Sequence, residues 1–245
     1  MANYMLTLEY DGTAYSGFQI QKNGITIQDV LEEAVGKIAK EPVKVIAAGR
    51  TDAGVHALNQ VVNFHSNLSV PVEKLPIAIN SLLPRDIRVK SCRIAADDFH
   101  ARYSALAKTY LYRIRQGEIE SAFERNYCWW IKRRLNIVLM LEAGRLLEGT
   151  HDFAAFAASG SSVKSTVRTL IRYEQAAFAG GVELRFTADG FLYRMARNLV
   201  GTLVDVGLGK REPAEIPAII ASRNRDCAGA TAPASGLFLE KVWYE

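Results

Sequence analysis

Tyr4, Leu6, Leu8 and Tyr10 alternate with Asn3, Met5, Thr7 and Glu9, a period of two that predicts a strand with one more polar side, ended by Asp11-Gly12. The period then lengthens. Val30, Leu31, Ala34, Val35 and Ile38 recur at helical spacing behind Thr26 and Asp29, a capping pair, so a helix is expected to about Lys40. Residues 43–47 and 59–65 read as strands joined by a loop over 49–54. Residues 77–83 fit a short helix, and Pro84-Arg85-Asp86 turns the chain into a strand over 87–94.

The second half continues the mixture. A strand is expected over 109–115, a helix over 136–148, and a hairpin from 167–178 to 182–188 turning at Gly180-Gly181. A helix follows over 192–206, another starts at Pro213, and a strand over 236–244 closes the chain. On the 192–206 helix, Arg194, Arg197, Asn198, Gly201 and Asp205 share one stripe, leaving Leu192, Met195, Leu199, Leu203 and Val206 for the core. Hairpins and helical connections occur in both halves, which indicates α+β rather than a doubly wound parallel sheet. At about 150 residues per domain, a chain of 245 residues allows one large domain or two modest ones. Two βαβ-like stretches place a boundary near residue 105, giving an N-terminal α+β domain over 1–105 and a C-terminal one over 106–245.

Composition narrows the class. With 49% hydrophobic and 23% charged residues the chain is an ordinary folded protein. No stretch approaches the ~18 uncharged residues of a membrane span, and no basic-then-apolar leader opens the sequence, so the cytoplasm is the expected compartment. Cys92, Cys128 and Cys227 are odd in number and scattered. His56, His65, His100 and His151 lack the i, i+4 spacing of helical metal ligands. Metal-free chemistry is expected. No Gly-Lys-Ser/Thr or Gly-x-Gly-x-x-Gly run marks a phosphate loop.

The net charge of +4 is unevenly spread, since residues 101–134 hold eight basic side chains against three acidic ones. Arg102, Lys108, Arg113, Arg115, Arg125, Lys132, Arg133 and Arg134 are interleaved with Tyr103, Tyr110, Tyr112, Tyr127, Trp129 and Trp130. Cations for phosphates and flat rings for unstacked bases suit RNA. The same composition also fits a solvated face laid over core aromatics. The densest polar punctuation lies between two expected strands, at Ala48-Gly49-Arg50-Thr51-Asp52-Ala53-Gly54-Val55-His56. Glycines there permit tight turns and leave the Asp52 carboxylate on a loop within reach of a substrate. An Asx-type turn, with Asp52 bonding local N–H groups, is the plain alternative.

The run from Gly49 through Ala57 resembles the signature of the TruA family of tRNA pseudouridine synthases. Lys108-Thr109-Tyr110-Leu111-Tyr112 resembles that family's basic-x-Tyr-x-Tyr strand, and His151-Asp152-Phe153 its His-Asp-Phe segment. Phe191 to Gly201 resembles its Phe-Leu-x-x-Met-Val-Arg helix, with Ala196 in place of the usual Val, and Ala232 to Leu237 its closing Ala-Pro-x-x-Gly-Leu. The resemblance implies the pseudouridine synthase fold: two similar mixed-sheet subdomains, RRM- or ferredoxin-like, flanking a basic cleft. It implies conversion of uridine to pseudouridine at positions 38 to 40 of the tRNA anticodon stem-loop, with no cofactor, by a homodimer whose subunits both touch one tRNA.

By the same resemblance Asp52 is the catalytic aspartate, acting as nucleophile on sugar or base, or as a base at the sugar. Arg197 is its cationic partner, and at ~4 Å with an effective dielectric of ~20 such a pair is worth about 4 kcal/mol before desolvation. Tyr110 stacks on the extracted uracil, and its hydroxyl assists late proton removal. Arg50 is the flipping residue, binding the neighbouring phosphate or filling the vacated space. Leu237 packs beside the base. His56 stays outside this set, as either a loop-orienting or a structural histidine. Two rival classes are a silent RNA-binding module, although no aromatic RNP1 consensus is present, and a small-molecule hydrolase using Asp52, which would leave the basic, aromatic half without a purpose.

Overall fold

The first helix forms where its cap predicts. In the computed structural model, which describes residues 1–160 and 163–245, Thr26 accepts a hydrogen bond from the Asp29 N–H at 3.2 Å and donates its hydroxyl to Asp29 Oδ2 at 2.6 Å. This capping box opens α1 (Ile27–Ala39), and Lys40, left-handed at φ 58°, ends it. The helix buries Ile27, Leu31, Ala34 and Val35, and each fully buried aliphatic side chain contributes roughly 1.5–3 kcal/mol.

The contacts of the chain divide it into two units, Met1–Leu106 with Phe238–Glu245, and Ala107–Leu237. In the first, β1 (Ala2–Tyr10) lies between β3 (His56–Ser66) and β4 (Ile87–Ala95), antiparallel to both. The more polar side its alternation predicts holds at Thr7 and Glu9, which are half-buried between buried Leu6, Leu8 and Tyr10, while Asn3 and Met5 on the same side are buried. Asn3 tolerates burial because its Nδ2 donates to the Ala96 and Phe99 carbonyls at 2.8 and 2.9 Å. The last strand of the chain, β10 (Leu237–Trp243), pairs parallel to β3, Phe238 opposite His56 and Leu239 opposite Ala57.

Two expectations in this unit change extent. The strand over 43–47 contracts to β2 (Ile46–Ala47), paired with β3, because side chains of α1 take the backbone of Val45: its N–H donates to Glu32 Oε1 at 2.9 Å and its carbonyl accepts from Gln28 Nε2 at 3.3 Å. The helix expected over 77–83 is α2 (Leu75–Asn80). It stops at Asn80, whose side chain bonds both the N–H and the C=O of Val89 at 2.8 Å and so spends its amide on β4.

In the second unit β5 (Ala107–Gln116), β9 (Gly181–Ala188), β8 (Val167–Phe178) and β7 (Gly149–Asp152) follow one another as an antiparallel sheet. The β8–β9 hairpin turns at Gly180, φ 77°, and β6 (Trp129–Ile131) adds a parallel pairing to the end of β5. Strands as short as β6 and β7 show no period and were not anticipated. α3 (Ile137–Arg145), capped by Asn136, packs on β8 and against α4 (Met195–Gly207), and α5 (Ile216–Ser222) follows a 3-10 turn at Pro213–Glu215. Both units thus combine helices with sheets that hold parallel and antiparallel pairs, the α+β class.

The largest departure from pattern is in α4. It begins at Met195, not at 192, with Arg194 left-handed at φ 59° as its N-cap. Its polar stripe is not a solvent face, since Asn198 and Gly201 are buried.

Candidate active site

Asp52 sits on the loop between β2 and β3, half-buried, with Thr51 and Val55 buried on either side and Arg50 exposed. The Val55 N–H donates to the Asp52 carbonyl at 3.1 Å, closing a turn whose third residue, Gly54, has φ 75°, a value that favours glycine. The chain after β1 clamps this turn. The Phe18 N–H donates to the Thr51 carbonyl at 3.0 Å. At Gly17, φ 92°, a Cβ would come within 2.7 Å of the Thr51 oxygen, and at Gly12 within 2.0 Å of the Val55 oxygen. Only glycine permits so close a backbone approach at either place.

Side chains complete the clamp. The Tyr10 hydroxyl meets Thr51 Oγ1 at 2.8 Å, and Gln60 Nε2 donates to the Gly49 carbonyl at 2.8 Å. Burial pushes the Tyr10 phenol up to about 12, so it stays a neutral hydrogen-bonding group. His56, buried and stacked on Phe238 with ring centroids 4.7 Å apart, faces the Gly12 N–H and Asp11 Oδ1 with Nδ1, each at 3.1 Å. A bare Nδ1 accepts from Gly12 and a protonated one donates to Asp11, so the ring is a tie between the two strand ends in either state. The arrangement leaves the Asp52 carboxylate on a fixed, half-open turn, able to act as nucleophile or base.

The second unit carries the other predicted residues. Tyr110 on β5 is buried, edge-on to Phe191 with centroids 4.8 Å apart. Leu237, where β10 begins, is also buried. Arg197, on the first turn of α4, is partly exposed. Its Nε donates to the Ala232 carbonyl at 2.7 Å, while the Ala232 N–H donates to the Arg197 carbonyl at 3.1 Å. The Arg197 charge acts on Tyr112: burial raises its phenol well above the usual value and the nearby guanidinium offsets part of that. The Tyr112 hydroxyl donates to the Pro233 carbonyl at 2.8 Å. The Ala-Pro-x-x-Gly-Leu segment is therefore a strap held at Ala232 by Arg197 and at Pro233 by Tyr112. Gly236 lets it pass, since a Cβ there would lie 2.6 Å from the Tyr112 ring.

The basic, aromatic stretch is divided by the fold. Tyr110 and Tyr112 are buried, Arg113 pairs with Glu183 at 2.9 Å, and Arg115 pairs with Glu124 at 2.5 Å. Arg102, Tyr103, Arg125, Lys132, Arg133 and Arg134 remain exposed. Burial alone would raise the Glu183 carboxyl, but Arg185 and Arg113 outweigh it and hold the group below the usual carboxylate range. In the His-Asp-Phe segment, Asp152 accepts from Thr166 Oγ1 at 2.5 Å and the Ala154 N–H at 3.1 Å and pairs with Arg223 at 3.0 Å, capping a 3-10 turn at Phe153–Phe156. Among the described residues, no group of three or more His, Cys, Asp or Glu is placed to hold a metal ion, and no helix is long and apolar enough to cross a membrane.

The site residues expected from the sequence leave out Gly12, Gly17, Tyr112 and the buried Asn198, all of which shape these two places. Asp-Gly after a strand and the second Tyr of Lys-Thr-Tyr-Leu-Tyr were visible signals. Asn198 offered none, because its helical position read as a polar face.

A family model described as tRNA pseudouridine synthase matches residues 7–104 and 143–245 of the chain. The tRNA pseudouridine synthase A of Thermoanaerobacter sp. (strain X514) is 49% identical over 244 residues, spanning 100% of both chains. Its counterpart in Bacillus subtilis (strain 168) is 43% identical over 241 residues, 98% of each chain. In Geobacillus kaustophilus (strain HTA426) the identity is 46% over 239 residues, 97% of this chain and 93% of that one.

Proposed function

The chain belongs to the tRNA pseudouridine synthase family and is an isomerase of uridine in tRNA, and from that premise we propose that it acts on uridines 38 to 40 of the anticodon arm through Asp52. The reaction breaks the N1–C1′ bond of uridine, forms a C5–C1′ bond, and moves a proton from C5 to N1. Atoms and electrons balance within one nucleotide, so the protein's task is to expose the base, hold it, and supply acid–base or nucleophilic groups.

The observation that carries the assignment is the clamped turn, which holds one carboxylate half-open between buried Thr51 and buried Val55. In this reading Asp52 attacks sugar or base, or removes a sugar proton, and Arg197 supplies the counter-charge that keeps an acid ionised once RNA has excluded water. Tyr110 presents its ring to the uracil, worth roughly 1–3 kcal/mol as stacking, and its hydroxyl serves the late proton transfer. Exposed Arg50 takes a neighbouring phosphate or the space the base leaves, and Leu237 packs beside the base. The enzyme works as a cytoplasmic homodimer bridged by one tRNA in a basic cleft.

Unmodified tRNA transcripts incubated with the protein test this directly. Base-resolution detection should find pseudouridine at positions 38 to 40 with wild type and none with Asp52→Asn, which should still bind tRNA. Product elsewhere in the tRNA overturns the site assignment, and product from Asp52→Asn overturns the role of the carboxylate. In single turnover, a Tyr110→Phe rate near wild type removes the hydroxyl from the mechanism and leaves the ring.

A further inference from the structure

An arginine side chain has enough rotatable bonds that a helix position alone does not aim its guanidinium, and in the second unit the strap holds its Nε. Residues 228–232 lie directly on α4. A Cβ on Gly201 would fall 1.7 Å from the Ala230 oxygen, and one on Gly229 2.6 Å from the Thr202 nitrogen. Asn198, with 0% exposure, sits at the centre of the contact. Its Nδ2 donates to the Phe156 carbonyl at 2.7 Å, and its Oδ1 accepts from Thr231 Oγ1 at 2.6 Å and from Arg225 Nη2 at 3.0 Å. Four residues along the helix, Thr202 Oγ1 accepts the Gly229 N–H at 2.8 Å and donates to the Asn198 carbonyl at 2.9 Å.

Every polar atom of the Asn198 side chain is thus spent on holding neighbouring chain, and the residue it holds, Thr231, directly precedes Ala232. Because Arg197 Nε is bonded to Ala232, the position of the strap constrains the direction in which Nη1 and Nη2 project. We propose that Asn198, acting through Thr231 and the strap, is a positioning residue for Arg197 and sets the orientation its guanidinium presents to bound RNA. The inference rests on the proposed part of Arg197 in the isomerisation. Displacements of about 1 Å in such a group cost up to about a hundredfold in rate.

Thr231→Val, nearly isosteric, removes the hydroxyl donor while keeping the side-chain volume. With tRNA as substrate, kcat should fall about tenfold, KM should stay within about twofold, and Thr231→Ser should recover all but about twofold of the rate. Thermal midpoints taken alongside keep every assay well below unfolding. Should Thr231→Val fail to fold, Arg225→Met, which removes the other donor to Asn198 Oδ1, should lower kcat in the same way. A double-mutant cycle separates aiming from plain structure: in an Arg197→Lys background the Val substitution should cost less than about twofold further. An undiminished tenfold loss in that background, or a Thr231→Val kcat within twofold of wild type, overturns the inference. Wild-type turnover by Arg197→Ala is a different failure, because it removes the role of Arg197 and with it the reason for aiming that side chain.

Discussion

The Asp52 turn and the Arg197 strap solve one problem, holding a charged group in place, by opposite means. The turn is clamped largely main chain to main chain, where Gly12 and Gly17 let loop segments approach closer than any side chain would allow. The strap is held mostly by buried side-chain polar atoms, with each side-chain nitrogen and oxygen of Asn198 and Thr202 hydrogen-bonded. The first device leaves a trace in the chain as glycines beside turn residues. The second leaves almost none, because a buried Asn on a helix has the pattern of an exposed one.

The sharpest way to break the comparison is to remove the charges. Asp52→Asn should lower pseudouridine formation by on the order of 10³-fold or more, with tRNA affinity nearly kept. Arg197→Ala should cost about 10²-fold in turnover, roughly 3 kcal/mol of transition-state stabilisation, and less in binding. Equal losses in binding and turnover would show that Arg197 is an RNA contact alone.

Stability reads the two clamps themselves. Gly12→Ala and Gly201→Ala each drive a methyl against a backbone oxygen, at 2.0 and 1.7 Å, and should destabilise by about 2–3 kcal/mol in urea unfolding. Gly209→Ala, left-handed at φ 71° with nothing within 4 Å, should cost only about 1 kcal/mol from backbone strain. If all three cost the same, close approach is not what glycine supplies at the clamps.

The smallest effect concerns charge in the basic stretch. The Glu183 carboxyl is held low by Arg185 and Arg113, so its contribution to stability is present above the unfolded-state value and fades as pH falls through the lowered one. Glu183→Gln should therefore lower the thermal midpoint slightly at neutral pH, and the gap to wild type should close as pH drops below 4.5. A gap that widens on acidification contradicts the pairing.

The elements most legible in the chain were those with a local cause. The Thr26–Asp29 box, the β8–β9 hairpin at Gly180 and the turn from Asp52 to Val55 all rest on contacts within a few residues. Where a distant group competes, pattern misleads. The strand at 43–47 loses its backbone partners to Glu32 and Gln28, and the helix expected from 192 waits until Met195 behind a left-handed Arg194.

Local spacing by itself determined the class of the fold, the place of the acidic loop and the helix that carries Arg197, because periodicity and turn chemistry act over a few residues. Tertiary structure alone decided that Phe238–Glu245 returns to the unit built from Met1–Leu106, that Tyr112 and Arg197 tie the strap, and that Asn198 is inside. Burial and hydrogen-bond satisfaction are settled between segments far apart in the chain, and no repeat in either segment announces its partner.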